Sequence, residues 1–95
     1  MKCGGKAEAR DADESIISMC NSLKSNIESK ANTTYSTFEP IKYRSQVVAG
    51  SNYYVKIKID NDSFIHVRIF KALPCYGGEF QVNEVTTGMT LNSEL

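Results

Sequence analysis

The sequence predicts an α+β domain in which one long N-terminal helix packs across a four- to five-stranded antiparallel β-sheet. Three observations carry that prediction. Ile16, Met19, Cys20, Leu23, Ile27 and Ala31 are spaced by threes and fours, which draws a single apolar stripe along a helix. After Thr34 the apolar period changes to two. The period-two runs are joined by short turns, so the simplest topology is an antiparallel meander covered by the helix.

Residues 1 to about 11 read as a small-residue tail. Asp11 or Asp13 can then cap the helix, and Asp11 with Glu14 has the spacing of a capping box. The opposite face carries Ser18, Ser22, Lys24, Ser25 and Glu28, and Asn32 can end the helix. About nineteen residues at 1.5 Å each give a rod of roughly 28 Å.

The strands follow in order. Ile41 and Tyr43 alternate with Lys42 and Arg44. Tyr53, Val55, Ile57 and Ile59 alternate with Tyr54, Lys56 and Lys58, and Ile65, Val67 and Ile69 with His66 and Arg68. Phe80 and Val82 open a last strand, and the phase slips by one before Val85, which predicts a bulge. The Asp60-Asn61-Asp62-Ser63 stretch is a polar hairpin turn. Leu73-Pro74-Cys75-Tyr76-Gly77-Gly78 is a longer connection. The first hairpin turns near Val48-Ala49-Gly50, with one glycine and an apolar tip.

In a meander the first and third turns share one end of the sheet. The helix runs back about as far as a ten-residue strand, roughly 33 Å long. Its start, with the N-terminal tail, therefore falls at that same end. The tail, the 48–50 turn and the Leu73-Pro74 turn converge on one edge that is small or apolar and has the shape of a wedge.

The bulk numbers fit one domain spanning 1–95. The chain has 95 residues, 41% of them hydrophobic and 23% charged, with six Gly and two Pro, a globular composition. Formal net charge is zero, which gives no support to nucleic acid or an anionic membrane as partner. No apolar run is long enough to span a bilayer, and Met1-Lys2-Cys3-Gly4-Gly5-Lys6 opens no signal-peptide core, so a cytoplasmic location is expected, with non-classical secretion as the alternative. Cys3, Cys20 and Cys75 are then expected as free thiols, and the two Asn-x-Ser/Thr sequons, at Asn32 and Asn61, as chance.

No spacing of Cys, His, Asp or Glu suggests a metal or another cofactor; Asp60-Asn61-Asp62 starts like a calcium loop but lacks its Gly and Glu. An enzyme would need a base beside a nucleophile, and the single histidine, His66, sits in mid-strand. Tyr54, Phe64 and Phe70 on the second sheet face fit partial packing better than base stacking.

These residues resemble the cystatin superfamily, specifically the stefins, its small, unsecreted, disulfide-free branch. Gln46-Val47-Val48-Ala49-Gly50 is similar to the first-hairpin motif of that family, Cys3-Gly4 to its N-terminus, and Phe64-Ile65-His66-Val67-Arg68-Ile69-Phe70 to its third strand. Ser45 through Tyr53 reads like a stefin almost without change, and Leu73-Pro74 falls where the second binding hairpin should be. The resemblance implies a cystatin-like fold and a reversible, tight-binding inhibitor, not an enzyme. Its partners would be papain-like (C1 family) cysteine proteases such as cathepsin L-, B-, H- and S-type enzymes. Residues 1–11 would form a flexible trunk in which Gly4 turns toward the non-primed substrate sites. Gln46, Val47, Val48, Ala49 and Gly50 would pass the catalytic residues, and Leu73 and Pro74, with Cys75 and Tyr76, would occupy the primed side. Cys75 and Tyr76 stand where stefins commonly have His and a charged residue, and the chain stops at Leu95, a few residues before the usual aromatic C-terminus. The competing expectation is a non-inhibitory interaction module on the same scaffold. A monomer is expected, with a hairpin-swapped dimer as the alternative assembly.

Overall fold

In the computed structural model, residues 7–95 are described. Strand β1 (Arg10–Asp11) is followed by helices α1 (Glu14–Ser22) and α2 (Lys24–Ala31), then by strands β2 (Phe38–Val48), β3 (Gly50–Ile59), β4 (Ser63–Lys71) and β5 (Phe80–Met89). The five strands form one sheet in the order β1-β2-β3-β4-β5. Every neighbouring pair is antiparallel. This is the α+β arrangement expected from the two apolar periods.

The cap is Asp13. Its Oδ1 accepts the Ile16 amide at 3.0 Å and the Ser15 hydroxyl at 2.7 Å, which satisfies a first-turn N–H that the helix leaves open. The Asp11/Glu14 capping box does not form. Asp11 instead lies in β1, where the Lys42 ammonium donates to it at 2.6 Å. The tail expected over 1–11 is thus attached to the sheet from Ala7 onward, whose amide donates to Ser45 O at 2.7 Å.

The single long helix is interrupted at Leu23, which has φ −103° and ψ 6°. The Ser22 hydroxyl donates to Met19 O at 2.8 Å, and the Leu23 amide is shared between Met19 O and Cys20 O at 3.1 Å each. A serine that bonds back to the preceding turn competes with the backbone ladder and bends a helix. The ladder resumes with the Ile27 amide on Leu23 O at 2.9 Å, so the apolar stripe continues across the break. The α2 helix ends at Asn32 in the left-handed region, φ 58°, with the Thr33 amide returning to Glu28 O.

The core lies between the helices and one sheet face. Ile16, Met19, Cys20 and Ile27 pack on Val55, Ile57, Ile65, Val67 and Ile69, with Tyr35 closing one end. Bulges correct the phase where the sequence slips. Ile41 is the extra residue between the Pro40↔Ile57 and Lys42↔Lys56 pairs, and Asn83 the extra one between Glu84↔Arg68 and Val82↔Ile69. The second puts both Val82 and Val85 against the core.

The outer face holds one surprise. Period-two reading puts Lys56 on the solvent side, yet it is only 3% exposed. Its ammonium donates to the carbonyls of Thr90, Leu91 and Ser93 at 2.9, 2.6 and 2.6 Å. The segment after β5 crosses the outer face and covers the lysine, and that burial lowers its pKa. Among the described residues no helix is long and apolar enough to cross a membrane.

Candidate functional site

Three segments meet at the end of the sheet where β2 turns into β3. The turn is as tight as a hairpin permits: Val48 pairs with Gly50, and Ala49 alone stands between them. Gly50 has φ +119°, and a Cβ built on it would lie 2.6 Å from Lys71 O and 2.7 Å from a Phe70 ring carbon. Glycine is required there twice over, by the backbone angle and by the end of β4 pressed against it. Ser51 pairs with Lys71, so the first turn stands beside the start of the β4–β5 connection.

That connection is a self-contained loop. The Ala72 amide donates to Glu79 O at 2.9 Å, closing its base. Pro74–Tyr76 form one 3-10 turn, in which Leu73 O accepts the Tyr76 amide at 2.8 Å and the Gly78 amide at 3.0 Å. Gly77 and Gly78, at φ 102° and 64°, reverse the chain. The third segment is the N-terminal stretch. Besides the Ala7–Ser45 bond, Arg44 Nε donates to Ala7 O at 2.8 Å. Ala7 is therefore fixed on β2 two residues from Val47.

The described candidates thus come together. Val47 is 72% exposed, Val48 42%, Leu73 37% and Tyr76 74%, and Ala49, Pro74 and Cys75 are exposed with them. Four large apolar side chains are thus left in water on two adjacent turns. Gly50 is buried beneath them, and Gln46 is half-buried. Gly4 and Cys3 lie outside the described residues.

Among the described residues the edge pairs no nucleophile with a base. Cys20 is in the core, where burial pushes its thiol up to about 12. Cys75 is exposed on the second turn, and His66 is on the outer face, in register with Lys56 and Thr86. The two thiols and the imidazole stand on different surfaces, so no nucleophile–base pair forms among them. Among the described residues no cluster of His, Cys, Asp and Glu could hold a metal ion.

The structure adds residues that sequence reasoning missed. Phe80, 41% exposed, extends the apolar edge onto the helix side. There, with Val47, Tyr43, Tyr53, Met19 and Lys71, it lines a shallow groove of about 400 Å³. Asn52 and Tyr54 hold Gln46 from below: Asn52 Nδ2 and the Tyr54 hydroxyl donate to Gln46 Oε1 at 3.0 and 2.9 Å. A turn centred on Ala49 makes Asn52 the register partner of Gln46 and puts Tyr54 on the same face, so this contact was available from the sequence.

Comparison with known proteins agrees with this architecture. The Cystatin domain family matches residues 4–92. Cystatin-A of Felis catus is 40% identical over 92 residues, 97% of this chain and 94% of that protein. Cystatin-B of Oplegnathus fasciatus is 37% identical over 95 residues, 100% of this chain and 95% of its own. Leukocyte cysteine proteinase inhibitor 1 of Sus scrofa is 46% identical over 74 residues, 78% of this chain and 72% of that protein. With a family match across nearly its whole length and stefin-type relatives at these identities, the chain belongs to the cystatin family.

Proposed function

We propose that this protein is a reversible, tight-binding inhibitor of papain-like cysteine proteases that fills the active-site cleft with the edge formed by its two turns and its N-terminal segment. The observation that carries the reading is the joint exposure of Val47, Val48, Leu73 and Tyr76 on two adjacent turns at one end of the sheet. A relative named as a cysteine proteinase inhibitor supports it. In this reading Gly4 lies in the trunk, Gln46 to Gly50 pass the protease's catalytic residues, and Leu73, Pro74, Cys75 and Tyr76 take the primed side. The whole chain acts as one domain, as a monomer, in the cytoplasm.

The energetics are consistent with tight occlusion. Apolar turn atoms leave water for an apolar cleft at roughly 25 cal/mol per Å². The turns are closed by backbone hydrogen bonds before binding, so little conformational entropy is lost when the partner docks. Nothing in the edge needs to react with the enzyme's thiolate, so the inhibitor blocks and does not acylate.

Titration of papain and of a cathepsin L-type enzyme with the full chain tests the proposal. Stoichiometric loss of activity is expected. Full activity at micromolar inhibitor would overturn it in favour of a non-inhibitory interaction module on the same scaffold. Gly4→Arg should then raise the dissociation rate if the trunk contributes.

A further inference from the structure

Gln46 sits in the segment assigned above to protease contact, yet its side chain is turned toward its own hairpin. Its Oε1 accepts from Asn52 Nδ2 at 3.0 Å and from the Tyr54 hydroxyl at 2.9 Å. An amide oxygen has two acceptor sites, and these two donors use both. Asn52 is opposite Gln46 in the ladder and Tyr54 is opposite Arg44, so the three side chains share the outer face of one hairpin. All three are half-buried.

We propose that Gln46 is a positioning residue: it acts on the protease through the conformation of the Val47–Gly50 tip, and Asn52 and Tyr54 belong to the same device. The proposal rests on the protease-inhibitor reading above. The tip has a single residue between paired strands, so its shape depends on what holds the strands on either side. One support is Gly50 pressed on Lys71 O and the Phe70 ring from β4. The other is the Gln46 clamp, which ties β2 to β3 across the outer face. With both in place Val47 and Val48 are presented in one arrangement. With the clamp removed, only the fraction of molecules that still holds that arrangement binds, and apparent affinity falls by that fraction.

The assignment makes Tyr54 matter to inhibition although it lies four residues into β3 and away from the edge. The test compares Gln46→Met, Tyr54→Phe, Asn52→Ala and the Gln46→Met/Tyr54→Phe double variant in the full chain. Inhibition constants against papain, melting temperatures and amide hydrogen exchange of residues 47–51 in the free protein are read. Ile27→Val, remote from the edge, controls for a loss of stability alone and should leave the inhibition constant unchanged. Gln46→Met and Tyr54→Phe are each expected to raise the inhibition constant roughly three- to tenfold, the range of one or two hydrogen bonds. The double variant should be no worse than the poorer single one, and exchange at 47–51 should quicken in all of them. Three results overturn the proposal: additive effects in the double variant, wild-type inhibition by Gln46→Met, or wild-type inhibition by Tyr54→Phe and Asn52→Ala while Gln46→Met is weakened. The last would mean that the Gln46 amide touches the protease itself. Should the unmodified chain fail to inhibit papain, the inhibitor reading falls on its own. The exchange rates alone then decide the clamp, and unchanged rates in Gln46→Met and Tyr54→Phe overturn it.

Discussion

At one end of the sheet the β3–β4 turn is polar and fully used; at the other, the β2–β3 and β4–β5 turns are apolar and left open. The polar turn puts Asn61 and Asp62 at φ 61° and 55°, with the Ser63 amide on Asp60 O. Two successive positive φ values are those of a type I′ hairpin, which Asn and Asp tolerate well. The Asp60 carboxylate reaches back to accept the Ser36 amide at 3.0 Å and the Thr37 amide beside it, which anchors the chain between α2 and β2. Lys58 pairs with Asp62 at 3.4 Å. At the apolar end the hydrogen bonds among the described residues close the turns upon themselves, and Val48, Leu73 and Tyr76 are exposed. One end is finished by its own chain, and the other is the end proposed above to be finished by a partner. Substitutions should therefore separate stability from inhibition according to the end they strike.

Gly50 is the exception that joins the two properties, and it should give the largest effect. Any side chain there meets both a positive φ and the backbone carbonyl of Lys71. Gly50→Ala is expected to cost about 2–4 kcal/mol of stability in denaturant unfolding and to weaken papain inhibition at least about a hundredfold, since the tip must move. A variant of normal stability would show that β4 yields easily and that the tip is not fixed by this contact.

Val48→Asp should separate the two ends cleanly. The side chain is exposed, so the melting temperature should stay within a few degrees. A buried, unpaired carboxylate in an apolar cleft should still raise the inhibition constant about ten- to a hundredfold. Equal inhibition by Val48→Asp and wild type would remove Val48 from the contact.

Asp60→Ala is the mirror experiment. It should lower the melting temperature by a few degrees, as loss of a side-chain cap does, and leave inhibition unchanged. Acid should reach the same contacts. Backbone hydrogen bonds from Ser36 and Thr37 hold the Asp60 carboxyl below its ordinary value of 3.8. The Ser15 hydroxyl and then the Ile16 amide do the same for Asp13, and the hydrogen bond from Lys42 for Asp11. A carboxyl whose folded pKa is depressed contributes stability above its unfolded value and loses it as pH falls through the folded one. Melting temperature should then be insensitive to these groups above about pH 5 and decline below about pH 4, with a shallower decline in Asp60→Ala. An identical acid profile would show that Asp60 is not part of the anchor.

The same contrast explains what the sequence disclosed. Periodicity placed the core-facing strands because Val55, Ile57, Ile65, Val67 and Ile69 answer to one rule, burial on alternate residues. The phase slip before Val85 was legible for the same reason, and Asn83 is its bulge. The break at Leu23 was not legible, because it arises from one rotamer, that of Ser22 on Met19 O. The buried Lys56 was missed because alternation assigns a face and does not say that a later segment will cover it. At the edge, the turn at 48–50 and its apolar tip could be read directly. Gly50's contact with β4 depends on the register between the two hairpins, which period two leaves undetermined.

The smallest expected effect lies on the second turn, and it bears on how the two apolar turns differ. The 48–50 turn is braced by β4, whereas among the described residues the Leu73–Gly78 loop bonds within itself and at its base. Its exposed Cys75 is a built-in place to add bulk without touching the fold. In the native protein a maleimide should modify Cys75 and spare Cys20, whose thiol is buried and pushed up to about 12; peptide mapping distinguishes both from Cys3. Because the loop can yield, Cys75→Ser should change the inhibition constant less than about threefold, and the bulky adduct should raise it only about three- to tenfold. With Cys3→Ser in the background of both proteins, treated Cys75→Ser should behave as untreated, which assigns the loss to position 75. A hundredfold loss on adduct formation would mean instead that the second turn is held as rigidly against the partner as the first, and the asymmetry between the two turns would not extend to binding.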